Sequence, residues 1–141
     1  VCSSVWPVQL HSPDQQWILQ QAGDVACFAG EADVRNDAPE REALIWNVMA
    51  RRGRVQAQVE LVNDLTGPWA LPTSGTVLVW VLHGSLLVHN AAGLAVTTLE
   101  AQDGLLGGMP GDAHHEATAP LTLVPTSATT RVALTRFKPL A

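Results

Sequence analysis

An all-β fold, a sandwich or barrel, is what this sequence predicts, and three observations predict it. Turn-forming residues recur at intervals of roughly eight to twelve positions, the spacing of short antiparallel strands. Runs such as VQAQVELV (55–62) alternate apolar and polar side chains with the period of two that a half-buried strand requires. No segment shows the spacing of a clear amphipathic helix.

The elements follow in order. VWPVQLH (5–11) and WILQQ (17–21) read as two strands joined by a Pro-Asp turn. AGDVACFAG (22–30) reads as a turn and a third short strand, which would bury Cys27 as an inert thiol. The acidic, Pro-containing stretch EADVRNDAPERE (31–42) is the best candidate boundary. Residues 43–62 then read as two strands, the second with Val55, Ala57 and Val59 on one face and Gln56, Gln58 and Glu60 on the other. NDLTGPWALPTSG (63–75) is loop. TVLVWVLHGSLLVHN (76–90) gives two strands kinked at Gly84, the first apolar on both faces, as a strand between layers must be. LAVTTLE (94–100), LLGG (105–108), LTLVPT (121–126) and TRVALTRF (130–137) complete the series.

Composition narrows the function classes. The chain has 141 residues, 47% hydrophobic and 15% charged, and can remove roughly two-thirds of its unfolded surface from water. Eight Lys and Arg against thirteen Asp and Glu leave a net charge of −5, which disfavours nucleic acid as a main partner. The longest apolar run, TVLVWVL (76–82), is strand-length, so no membrane helix is expected. The amino terminus shows no basic region followed by an apolar one, and Cys2 and Cys27 lack zinc-type spacing. The expectation is a cytoplasmic protein with reduced thiols.

Candidate chemistry is sparse. MPGDAHHEA (109–117) places His114 and His115 after a Pro-Gly turn, and His83 and His89 flank the Gly84 kink. Together they could form an improvised metal cluster; equally, they are solvated turn residues. Arg51-Arg52-Gly53-Arg54 could capture an anion, since a guanidinium fork matches a carboxylate in two contacts, or could be a solvated basic surface. The amide of Asn47 both donates and accepts, which suits a polar anchor on an apolar strand or, equally, a residue that bonds the backbone at a strand bend. Trp46 and Trp80 are candidates to line a cavity. No nucleophile elbow, phosphate loop or His-Glu-x-x-His helix occurs, so no catalytic residue is assigned.

Two stretches carry a family resemblance. VLVWVLHGSLLV followed by TLEAQDGLLGG is similar to the strand, glycine kink and turn layout of cupin jelly rolls. FAGE (28–31), then WNVMARRGR (46–54), resembles the F-x-G-D and F-N-x-M-x-R-R-G pattern of the HutD/Ves family, small two-cupin proteins associated with histidine utilisation and stress response. Ile45 and Trp46 stand where that pattern has Asp and Phe, and its W-K-N-G-G-G and F-P-G segments do not occur here.

The resemblance implies a cupin-like jelly-roll barrel over residues 46–141, the second cupin of a two-cupin protein, preceded by strands of a partial first barrel over 1–45. It implies no cofactor: where metal cupins place a glutamate seven residues before the kink glycine this chain has Val77, and WALPTSG (69–75) lacks their histidine pair. The implied function is metal-free binding of a small carboxylate, such as an anionic metabolite of histidine breakdown, with Asn47, Arg51, Arg52, Trp46 and Trp80 as ligand-binding residues. Two alternatives stand beside it. One is a metal-dependent cupin enzyme using His83, His89 and His114 or His115; the other is a self-association module without a ligand. Strands of a partial barrel leave open edges, so a homo-oligomer formed through residues 1–45 is expected.

Overall fold

The computed structural model describes residues 7–37, 44–73, 75–107 and 120–140. They contain eleven strands in three antiparallel sheets, and no helix occurs among them. The chain divides into two compact units, residues 1–49 and 50–141.

The first unit holds a three-stranded sheet of order β2-β1-β3, built from β1 (Val8–His11), β2 (Gln16–Leu19) and β3 (Arg35–Asn36). The Pro13-Asp14 turn forms as expected, closed by the Ser12 amide donating to the Gln15 carbonyl and the Gln15 amide donating to Ser12 Oγ. Val8 and Leu19 are buried, with Leu10, Ala26 and Ile45 packed on them, and Trp17 stacks at a tilt on Phe28, 5.4 Å between ring centres.

Two expectations need correcting in this unit. Residues 24–30 form no strand: the place beside β1 goes to β3, within the 31–42 stretch, and the chain leaving β2 is turned at Asp24, whose carboxylate accepts from the Gln20 and Gln21 amides. Cys27 is accordingly exposed rather than buried. Residues 46–50 likewise form no strand, and Ile45 makes only an isolated bridge.

The second unit is a double sheet. One layer has the order β4-β11-β6-β9, from β4 (Val55–Val62), β6 (Thr76–His83), β9 (Gly104–Gly107) and β11 (Arg131–Pro139). The other has the order β5-β10-β7-β8, from β5 (Trp69–Ala70), β7 (Leu86–His89), β8 (Ala95–Leu99) and β10 (Thr122–Pro125). Leu71, Val77, Val79, Val81, Leu86, Val88, Leu99, Leu123, Val132 and Leu134 form a continuous core. β4 shows the expected alternation, and β11 is buried on both faces over Val132–Thr135.

Gly84 is the corner of this architecture. β6 and β7 are not a hairpin: β6 pairs with β11 and β9, β7 with β10 and β8, so the bend hands the chain from one layer to the other. Its φ of 81° suits glycine, and a Cβ there would collide with Ser127 Oγ and the Thr129 carbonyl. The Ser85 amide donates to Ser127 Oγ at 3.0 Å, so the side chain that would clash also ties the bend to the β10–β11 connection.

Candidate functional site

The basic segment ends in a tight turn. The amides of Arg54 and Val55 both donate to the Arg51 carbonyl, at 3.1 and 3.0 Å, and Gly53 adopts φ 70°. Nothing lies within 4 Å of where a Gly53 side chain would begin, so this glycine serves the backbone conformation rather than packing. Arg51, Arg52 and Arg54 are all exposed.

The far end of β11 joins them. The Leu140 amide donates to the Arg54 carbonyl at 2.8 Å, and the β4–β11 register sets Lys138 opposite Gln56 and Arg136 opposite Gln58. Because side chains alternate along paired strands, Gln56, Gln58, Glu60, Arg136 and Lys138 share one face, and all five are exposed. Arg136 pairs with Glu60 at 3.1 Å. One end of the second unit therefore presents Arg51, Arg52, Arg54 and Lys138 beside a strip of carboxamides. Such a surface can donate many hydrogen bonds to an anion and offers amide oxygens to polar hydrogens beside it.

Of the other expected residues, Trp46 is half-buried and Asn47 exposed, both at the end of the first unit. Trp80 is half-buried on the face of β6 opposite Val79 and Val81; a Cβ on Gly104 would stand 3.3 Å from its ring. Trp80 therefore lies over the neighbouring β9 and does not line the interior of the double sheet. His83 ends β6 and His89 ends β7, in different layers, with His89 facing away from the core side marked by Leu86 and Val88. His114 and His115 lie outside the described residues. Among the described residues no three His, Cys, Asp or Glu side chains come together, and Val77 is 1% exposed in the core.

Lys138, Arg136 and the two glutamines were not singled out in the sequence. The alternation of β4 shows which way the glutamines point, but their partner strand follows some seventy residues later and no local pattern announces the pairing. In the first unit, an ion pair and a close polar contact flank β3: Arg35 pairs with Asp33 at 2.8 Å, and His11 Nδ1 lies 2.6 Å from Asp37 Oδ1. The Arg35 hydrogen bond and charge hold the Asp33 carboxyl below its ordinary range.

Fold and surface together define a cupin-like β protein with an exposed, basic turn at one end of its double sheet. The family comparison is specific: the HutD family profile matches residues 7–124, and the chain belongs to the HutD family. The fold is also similar to the crystal structure of a conserved protein of unknown function from Pseudomonas aeruginosa PAO1. That match has a TM-score of 0.66 at 15% identity, covering 99% of this chain and 70% of the other. No curated protein sequence matches the chain.

Proposed function

We propose that the chain is a metal-free small-molecule-binding protein of HutD type that captures an anionic carboxylate through Arg51 and Arg52. The observation carrying this reading is charge placement: three of the eight Lys and Arg residues occupy positions 51–54 of a chain whose net charge is −5. A carboxylate approaching an acidic molecule is drawn to such a concentration of guanidinium groups, which bind it in a planar, two-contact geometry. Lys138 adds a fourth cation, and Gln56 and Gln58 supply uncharged partners for the remainder of a metabolite. The resemblance to HutD/Ves makes products of histidine breakdown, urocanate or a formylated glutamate, the first ligands to try, in a sensing or buffering role.

Calorimetric titration with these compounds tests the reading. Binding is expected to weaken at least tenfold, about 1.4 kcal/mol, in an Arg51→Ala/Arg52→Ala variant, and to fall as salt screens the exposed charges. Absence of heat with every carboxylate, or full affinity in the double variant, would overturn it.

A further inference from the structure

The strand β2 lies at one edge of the first unit's sheet, and the stretch that contains it is a palindrome in its pattern of glutamines and apolar residues. QQWILQQ (15–21) reads the same in both directions except that Trp17 and Leu19 exchange places, and it contains no charge. Protein edges are ordinarily blunted by charges, proline or bulges. At the opposite edge of the same sheet, β3 is only Arg35–Asn36, with the Asp33–Arg35 ion pair and the Asp37 carboxylate beside it. In the second unit, the edge strand β8 meets a register shift at Val88/His89. β2 has no such device along Gln16–Leu19.

The ladder fixes what this edge offers. The hairpin closes at Ser12 and Gln15, and hydrogen-bonded pairs alternate along an antiparallel ladder, so Leu10 with Trp17 and Val8 with Leu19 bond to each other. The backbone groups of Gln16 and Ile18 therefore point outward. The Asp24 carboxylate accepts from the amides of Gln20 and Gln21, at 2.6 and 3.1 Å, and so ends the free edge just beyond Leu19. The Ile18 side chain, 49% exposed, faces away from the buried Leu19.

We infer that β2 pairs with β2 of a second copy of this chain, antiparallel about a two-fold axis at Ile18. A two-fold contact demands that one patch complement itself, and the palindrome meets that demand residue by residue. Ile18 opposes Ile18 and donates its amide to the opposing Ile18 carbonyl, in both directions. Trp17 opposes Leu19 of the other copy, on the face that also carries Val8 and Leu10, so two small cores become one across the axis. Gln16 opposes Gln20, whose carbonyl accepts from the Gln16 amide. The self-association expected of residues 1–45 is thereby narrowed to one strand and one register. It is independent of the anion site, which lies in the second unit.

Sedimentation equilibrium with variants tests the pairing. The unaltered chain should sediment at twice its monomer mass, and Ile18→Lys, which sets like charges face to face at the axis, should return it to monomer mass with its β-sheet circular dichroism retained. Val96→Lys, on the β8 edge, should leave the dimer intact. A second variant guards against misfolding. Opposed residues of a hydrogen-bonded pair have Cα atoms about 5.5 Å apart, within disulfide reach, so Ile18→Cys should oxidise to a covalent dimer at that position, whereas the unaltered chain, with Cys2 and Cys27, should not. A concentration-independent monomer, a dimer that survives Ile18→Lys, a dimer lost only in Val96→Lys, or failure of Ile18→Cys to cross-link would each overturn the inference.

Discussion

The two units of this chain differ in what holds them together. The second unit has a core of ten buried side chains between two four-stranded sheets. The first has Val8 and Leu19. Yet of the nine large hydrophobic residues exposed among the described residues, Ile18, Val25, Phe28, Leu44 and Met49 belong to the first unit, which is about a third of the chain. Charge divides just as unevenly. Residues 1–49 contain seven acids and two arginines and carry the whole net charge of −5, whereas residues 50–141 contain six acids and six bases and are neutral. Most of the burial lies in the second unit, and the whole net charge and five of the nine exposed large hydrophobics lie in the first. Segments of about fifty residues rarely bury enough surface to be stable alone, so the first unit is the part of this protein that needs support.

The largest expected effect tests the difference in cores. Leu134 is fully buried in the second unit, and Leu134→Ala should lower the main unfolding transition by about 2–5 kcal/mol in urea denaturation. Leu19→Ala should leave that transition in place and remove hydrogen-exchange protection only from β1 and β2. Equal shifts of the main transition would show that the two cores unfold as one. A smaller effect, of opposite sign, is expected at Thr135, fully buried on β11 with its hydroxyl lacking a hydrogen-bond partner. Replacing that hydroxyl by a methyl group of the same shape, Thr135→Val, should stabilise the second unit by roughly 1 kcal/mol, read as a higher urea midpoint at unchanged slope.

The smallest effect belongs to the acidic unit. The Asp33 carboxyl is held below its ordinary pKa by Arg35, so its contribution is complete above the unfolded value and is lost as pH falls through the depressed one. Protection of the β3 amides should therefore fade on acidification, and Arg35→Gln should flatten that dependence without affecting the second unit. A pH dependence that survives the substitution would remove this pair from the account.

How much of this was legible in the sequence follows from how local each determinant is. Alternation along VQAQVELV marked β4 to the residue, and the glycine kink in TVLVWVLHGSLLV separated β6 from β7, because both signals depend on neighbours in the chain. The kink alone does not say whether its two strands pair, since only the distant β9, β10 and β11 decide that they join different layers. Residues 24–30 carry strand-like composition, yet β1 takes the later β3 as its second partner, and the choice of partner is not written into composition. Of the anion surface, Arg51 and Arg52 were visible as a charge cluster, whereas Lys138 and the glutamines depend on a register formed across the whole second unit.

The bend at Gly84 has a kinetic corollary. Among the described strands of the second unit, only β7 and β8 follow one another within a single layer; every other consecutive pair changes layers. Neither sheet can be completed by a contiguous stretch of chain, so partners distant along the backbone must meet before either sheet gains much by closing. Loop closure then precedes most of the reward, which places refolding in the slow, millisecond-to-second class of β proteins. In a newly synthesised chain one layer is complete once β10 is made, while the other keeps β4 apart from β6 until β11, the central strand linking them, emerges.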